Sequence, residues 1–133
     1  MSTRCLIGRQ VGKDIYRMVF CHYDGYLDGV GKTLLENYQD QSTLDELLEM
    51  GDMESLDNTI YRCHFYGRDN GWEPHACASR FMTLKNLKHQ GISIEYIYWM
   101  GLDGKWRYID CWNDKSIRLL LTRRKSRAKE PTE

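Results

Sequence analysis

The stretch "GYLDGVGKT", residues 25–33, is the first feature that suggests chemistry. An apolar segment leads into this glycine-rich loop, which ends in the Gly-Lys-Thr of a phosphate-binding loop. A Walker A loop also requires a glycine at position 26, where this chain has Tyr26, and Gly25 is one residue too early. Because that loop holds phosphate with successive backbone N–H groups in a fixed geometry, the extra residue breaks the match. The sequence does not predict a P-loop.

A weaker anion site remains open at the same place. Gly29, Gly31, Lys32 and Thr33 would begin a helix whose unpaired N–H groups, beside a lysine, can hold an anion. The alternative function is therefore a small nucleotide- or phosphate-binding protein, or a small hydrolase, that uses the His22–Thr33 loop. The simpler interpretation is that the glycines allow a turn and that Lys32 and Thr33 open an amphipathic helix.

Four polar residues could supply acid–base groups. His22, Asp24, His64 and Asp69 lie at or just past the ends of two predicted strands. If those strands are neighbours, the four side chains could converge in a hydrolase-like pocket. The competing interpretation is that they are solvated groups at loop tips. The leading hypothesis assigns no catalytic residue.

Two Cys-His dipeptides raise the question of zinc. Cys21-His22 and Cys63-His64, with His75 and Cys77, have the right residue types. Neighbouring residues in a strand point to opposite faces, however, and the spacing matches no standard zinc motif. We expect no metal and no other cofactor. The five cysteines are an odd number without a CxxC pair, which predicts reduced, mostly buried thiols and no disulfide.

The segment "ISIEYIYWMGLDGKWRYIDCW" predicts a β-hairpin with a two-residue turn at Asp103-Gly104. In that register Gly101 lies opposite Trp106 and Trp99 opposite Tyr108. One face then carries Trp99, Trp106, Tyr108 and Trp112. The opposite face carries Tyr96, Tyr98, Met100, Ile109 and Cys111.

Both faces of this hairpin are apolar, so something must cover each of them. The chain's own helices and residues 117–121 can do so. Alternatively, a partner or a second copy covers one face, because Trp and Tyr are common anchors of interfaces. The candidate partner-binding residues are the four aromatics Trp99, Trp106, Tyr108 and Trp112, with Tyr23 and Tyr26 from the glycine-rich loop.

The elements follow the order β-β-α-α-β-α-β-β. Strands are predicted over residues 3–9, 14–22 and 59–66 and in the hairpin. Helices are predicted from Val30, from an N-cap at Ser42 with Asp45 to Gly51, and from a cap at Thr83 to Gly91. This order predicts an α+β fold with a mainly antiparallel sheet of about five strands and two or three helices.

Composition sets the remaining limits. The 133 residues suit one domain, predicted over 1–121, followed by a charged tail over 122–133 that we expect to be flexible. Nineteen basic residues balance nineteen acidic ones, so nucleic-acid binding is not expected except through the basic tail. No segment has the apolar length of a signal peptide or a membrane span, which predicts a cytoplasmic protein without membrane contact.

Three segments carry a family resemblance: "YRMVFCHYDGYLDGVGKTLLENY", "LLEMGDMESLD" and "SIEYIYWMGLDGKWRYID". Together they span most of residues 15–110 and resemble a group of small proteins encoded by bacteriophages and prophages. The resemblance implies an accessory protein in a bacterial cytosol and transfers no catalytic residue. Small phage proteins of this size commonly bind and block host proteins, including defence machinery such as CRISPR effectors. The expected function is therefore a non-enzymatic interaction protein that binds a host protein, with a homodimer as a further expectation.

Overall fold

The computed structural model describes residues 2–121, so the predicted flexible tail lies outside the described residues. Two short turns accompany the regular elements, a π-helical turn at Leu27–Gly31 and a 3-10 turn at Ile60–Arg62. The strands are β1 Cys5–Gly12, β2 Ile15–Cys21, β3 Met53–Ser55, β4 His64–Phe65, β5 Arg80–Met82, β6 Tyr96–Met100, β7 Trp106–Asp110 and β8 Ile117–Leu119. The helices are α1 Lys32–Asn37, α2 Gln41–Glu49, α3 Tyr66–Asn70, α4 Pro74–Cys77 and α5 Leu84–Lys88.

All eight strands belong to one sheet with the order β4-β3-β2-β1-β6-β7-β8, and β5 pairs with β2. Most neighbours are antiparallel, but β1 pairs with β6 and β2 pairs with β3 in parallel. The α+β class is confirmed. The sheet is mixed and has eight strands where about five were expected, because the short strands β3, β5 and β8 have too few residues to show an alternating pattern.

Most of the segment 59–66, which was predicted to be a strand, does not form one, and its first half contains the 3-10 turn. Only β4 is extended, because the carbonyls of Ile60, Tyr61 and Cys63 accept hydrogen bonds from the Arg68 guanidinium instead of from a neighbouring strand. The backbone N–H of Asp57 donates to the Cys63 sulfur at 3.2 Å and holds the same loop from the other side. An alternating pattern of apolar residues does not show hydrogen bonds from a side chain several residues away, so the sequence did not predict this loop.

Helix capping is confirmed at Thr83, whose hydroxyl accepts the backbone N–H of Asn86 at 3.2 Å. At α2 the predicted cap is wrong by two residues. The carboxylate of Asp40, not the hydroxyl of Ser42, accepts the N–H of Thr43 at 3.2 Å. The helix ends as predicted, with Gly51 in the left-handed region at φ 86°.

The hairpin exists, but its predicted register is wrong. Gly101 donates its N–H to the carbonyl of Lys105 at 2.9 Å, and Met100, not Gly101, lies opposite Trp106. Gly104 has a positive φ of 82° whereas Asp103 does not, which fits a type I turn followed by a left-handed glycine and not a two-residue turn. The longer connection slips the register by one residue and moves Trp99 to the other face of the sheet.

Each face of the sheet has its own core. On the first face, helices α1 and α2 cover Ile7, Val19, Tyr98 and Trp106. On the second, Leu87 of α5 covers Tyr16, Met18, Ile97 and Trp99. The chain's own helices therefore cover both faces of the hairpin.

This packing corrects the prediction that Trp99 and Trp106 line a partner surface. Only 1% of the surface of Trp99 and 3% of that of Trp106 remain exposed. The Trp106 indole N–H donates to the carbonyl of Tyr38 at 3.1 Å, and the Trp99 ring meets Tyr16 edge-on at 5.7 Å between centroids. Both rings are core residues.

Candidate interaction surface

The glycine-rich loop forms the π-helical turn Leu27–Gly31 and leads into α1. The backbone N–H groups of residues 29–32 already donate within the chain. Val30 donates to the carbonyl of Asp24 at 2.8 Å, and the N–H groups of Gly29 and Gly31 donate to that of Tyr26 at 3.0 and 3.3 Å. The N–H of Lys32 reaches the carbonyls of Leu27 and Gly29. These groups are the ones that a phosphate would need, so the anion-binding alternative receives no support from the loop.

The glycines of this loop instead permit close packing. A Cβ atom on Gly29 would lie 2.3 Å from the carbonyl oxygen of Asp24, and one on Gly31 would lie 3.2 Å from the Tyr98 ring. The Tyr98 hydroxyl donates to the carbonyl of Gly25 at 2.7 Å and so fastens the loop to the sheet. These contacts hold the loop against the sheet, while Tyr23 and Tyr26 remain exposed.

Of the four candidate acid–base residues, only His64 and Asp69 line a common cavity in the described part of the chain. Strand β3 lies between β2, which precedes His22, and β4, which begins with His64. The carboxylate of Asp69 accepts the N–H of Phe65 at 2.8 Å and pairs with Arg68. The carboxylate of Asp24 accepts a hydrogen bond from the Tyr26 hydroxyl at 3.5 Å.

Two of these groups, His64 and Asp69, have partners within the same part of the chain. His64 Nε2 lies 2.8 Å from Asn70 Oδ1 and 3.3 Å from Glu54 Oε1. Both partner atoms are oxygens, so Asn70 and Glu54 hold this edge of the imidazole ring in place. Hydrogen bonds from Arg68 and from the Phe65 amide lower the pKa of Asp69, which is therefore an ionised structural group.

The cysteines are free, and four of the five are buried. Burial raises the pKa of the Cys63 thiol, which packs against the Tyr38 hydroxyl at 3.6 Å. Within residues 2–121, no three side chains of His, Cys, Asp or Glu lie close enough together to hold a metal ion. Within each of the dipeptides Cys21-His22 and Cys63-His64, the two side chains point to opposite sides. Each cysteine is buried in the core and each histidine points outward.

The outward side chains at this end of the sheet form a continuous polar and aromatic surface. We define the histidine–aromatic surface as His22, Tyr23, Glu54, His64, Tyr66 and Trp72. Glu54 lies at its centre: its carboxylate contacts His64, and its carbonyl accepts the N–H of Tyr23 at 3.0 Å. The His22 ring meets the Tyr23 ring edge-on, with 4.4 Å between centroids.

Trp72 is the largest exposed ring of this surface. It stacks on Tyr66 with centroids 4.3 Å apart and planes at 19°, and half of its surface (51%) is exposed. Burial and the nearby charge of Glu54 raise the pKa of the Tyr66 hydroxyl. The stacked pair therefore belongs to the same surface as the two histidines.

An open cavity of about 470 Å³ borders the surface beside His64. Its lining residues are Tyr61, Arg62, Cys63, His64, Arg68 and Asp69. The Arg68 guanidinium is fully engaged with Asp69 and three backbone carbonyls, so Arg62 supplies the accessible cation. The cavity adds a recess to the edge of the surface.

Sequence reasoning missed Glu54, Tyr66 and Trp72. The one signal was an isolated tryptophan in the polar loop "GRDNGWEPH", where no core pattern explains it. Of the aromatics predicted to contact a partner, Tyr23 and Tyr26 are exposed, Tyr108 is half-buried beside Tyr98, and Trp112 is exposed at the far end of the sheet.

Comparisons with protein-family models, with curated proteins and with solved structures found no match to this chain. Among residues 2–121, every helix is too short or too polar to cross a membrane. No function is therefore carried over from another protein, and the geometry described above is what bears on it.

Proposed function

We propose that this chain is a non-enzymatic interaction protein of a bacteriophage or prophage, and that it binds a host protein in the bacterial cytosol through the histidine–aromatic surface. Blocking a defence protein such as a CRISPR effector is the form of this function to test first. The observation that carries the proposal is the exposure of Tyr23 and of the stacked Trp72 around the central Glu54.

Tryptophan and tyrosine dominate the binding free energy of protein interfaces, and an exposed pair with polar neighbours has the composition of such a site. Because Trp72 already stacks on Tyr66, its ring loses little conformational freedom on binding. The two histidines and Glu54 supply polar and charged groups beside the rings. Rigid aromatic side chains with polar groups among them favour a protein partner over a small ligand.

The competing enzymatic function has less support. The glycine-loop amides are bound within the chain, and the acid–base candidates are separated or already paired. Among the described residues, every buried side-chain nitrogen and oxygen has a hydrogen-bond partner. The active sites of enzymes commonly leave such groups strained or unpaired until the substrate binds.

The test has two stages. The tagged full-length chain first captures candidate partners from bacterial lysate, and each candidate is then purified and titrated by calorimetry. Trp72→Ala and Tyr23→Ala should each weaken the complex about tenfold or more, as expected for loss of an aromatic anchor. Trp112→Ala is the matched control, because it removes an exposed tryptophan at the other end of the sheet.

Equal affinity of the Trp72→Ala and Tyr23→Ala variants with folded circular dichroism spectra would contradict the proposed surface. A loss confined to Trp112→Ala would move the interface to the other end of the sheet. Calorimetry with a nucleotide panel tests the alternative directly: heat of binding that disappears in Lys32→Ala would replace an interaction protein with a nucleotide-binding one.

A further inference from the structure

Strand β8 is an open edge of the sheet. It is the last strand in the order and pairs with β7 alone among the described elements. Leu120 donates its N–H to the carbonyl of Trp106 at 2.9 Å, and Arg118 lies opposite Tyr108 in the same register. Antiparallel pairs alternate between hydrogen-bonded and non-hydrogen-bonded, so the N–H and C=O groups of Ile117 and Leu119 point away from β7.

The same edge exposes apolar side chains. Ile117, Leu119 and Leu121 have 42%, 47% and 67% of their surface exposed, whereas Leu120 is buried. The alternation of β8 places Ile117 and Leu119 on one face, and the bond from Leu120 to Trp106 continues the pairing toward Leu121. Arg118 is the charge that would guard such an edge against pairing, but it forms an ion pair with Asp114.

We propose that a second copy of this chain pairs with β8, antiparallel across a two-fold axis that passes beside Leu119. Leu119 then lies opposite the same residue of the partner subunit, and Ile117 opposite Leu121 of the partner subunit. The outward backbone groups of Ile117 and Leu119 are those that this register uses.

Charge selects this register over its neighbour. A pairing shifted by two residues also fits the outward backbone groups, but it places Arg118 directly opposite the same residue of the second copy. Two like charges at the closest cross-strand distance are destabilising. In the proposed register Arg118 lies opposite a leucine instead, and the apolar side chains of one face meet each other.

The composition of residues 122–133 favours a second copy over coverage by this segment. Residues 122–133, "TRRKSRAKEPTE", contain no large apolar side chain that could cover Ile117, Leu119 and Leu121. A second copy supplies the same three side chains in a self-complementary arrangement. The histidine–aromatic surface lies at the opposite end of the sheet order, so this proposal and the proposed function can fail separately.

A cross-linking experiment tests the register. A short bismaleimide applied to the full-length Leu119→Cys variant should yield a covalent dimer, because hydrogen-bonded pairs place Cα atoms about 5.5 Å apart. Ile117→Cys alone should not cross-link efficiently, but mixed with Leu121→Cys it should. The wild-type chain is the background control, since four of its cysteines are buried and the fifth is half-buried.

Sedimentation velocity over about a hundredfold range of concentration tests the association itself. Leu119→Lys should weaken dimerisation about tenfold or more, because two ammonium groups meet at the axis. Arg118→Lys keeps the charge and should dimerise as the wild type does. A wild-type chain that stays monomeric, a dimer that Leu119→Lys does not weaken, or cross-linking no better at Leu119→Cys than at Ile117→Cys would each overturn the proposal.

Discussion

The carboxylate of Asp52 accepts hydrogen bonds from the Arg80 guanidinium at 3.0 Å and from the backbone N–H of Phe20 at 2.8 Å. The backbone of Asp52 adds two further bonds: its N–H donates to the carbonyl of Cys77 at 2.7 Å, and its carbonyl accepts the N–H of Tyr66 at 3.3 Å. This one residue therefore joins β2, the end of α4, the start of β5 and the start of α3. It is the only polar residue in the described core, and it supports the elements on which the histidine–aromatic surface lies.

Removing the Asp52 carboxylate should destabilise the fold. Asp52→Ala leaves the Phe20 N–H without its acceptor and should lower the free energy of unfolding by about 2–3 kcal/mol. Asp52→Asn keeps an acceptor and should lose about 1 kcal/mol, because Arg80 is partly exposed to water. Glu49→Ala, which removes an exposed partner of Arg17, is the control and should change stability by less than about 0.5 kcal/mol. Urea denaturation measures all three; equal stability of Asp52→Ala and Glu49→Ala would contradict this role.

A methyl group on Gly29 should be destabilising because the site is closed. The added Cβ would lie 2.3 Å from a backbone oxygen, and we expect Gly29→Ala to lower the free energy of unfolding by about 1–3 kcal/mol. Gly91→Ala is the matched control, since no atom lies within 4 Å of its Cβ position. Thermal denaturation followed by circular dichroism compares the two. If Gly29→Ala is as stable as Gly91→Ala, close packing is not the reason for a glycine there.

Alkaline pH should unfold the protein through its buried tyrosines. Burial raises the pKa of the Tyr98 and Tyr38 hydroxyls well above the ordinary value of 10.0. Above pH 10 the unfolded chain releases protons from these hydroxyls that the folded chain keeps. The free energy of unfolding therefore has its full value below that pH and falls as the pH rises above it. The expected slope is about 1.4 kcal/mol per pH unit for each group.

Urea denaturation across this pH range measures the slope. Tyr98→Phe should flatten the fall, although it also removes the hydrogen bond to Gly25. Tyr61→Phe is the control, because it removes the hydroxyl of an exposed tyrosine. A slope that does not change in Tyr98→Phe would show that Tyr98 is not responsible.

The thiol of Cys111 should react slowly in the folded protein. Burial raises the pKa of Cys111 to about 11, compared with the ordinary value of 9.0. Near neutral pH this lowers its thiolate fraction, and with it the rate of alkylation by iodoacetamide, about a hundredfold. Mass spectrometry of the native and the urea-unfolded chain gives the two rates. Equal rates would show that the side chain is open to solvent in the native state.

Much of the local structure was predictable because its causes lie within a few residues. The strands before and after Gly12, the hairpin around Gly104, the cap at Thr83 and the end of α2 at Gly51 follow from alternation, turn residues and capping groups. The Asp103-Gly104 pair indicates a turn, but the ion pair of Asp103 with Arg107 accompanies a longer connection than the pattern suggested. One residue of slip was enough to exchange the faces of Trp99 and Tyr98.

The tertiary structure alone decided what lies at the surface. Trp72 and Trp106 are the same residue type, yet one stacks in the open on Tyr66 and the other donates to Tyr38 in the core. The parallel pairing of β1 with β6 joins segments about ninety positions apart, and nothing near either strand specifies its partner. Sequence thus determined the longer strands, the turns and the helix ends, because their free energies are local. Which faces these elements bury depends on how distant segments pack against one another. This packing places the histidine–aromatic surface and the open edge of β8 at opposite ends of one sheet.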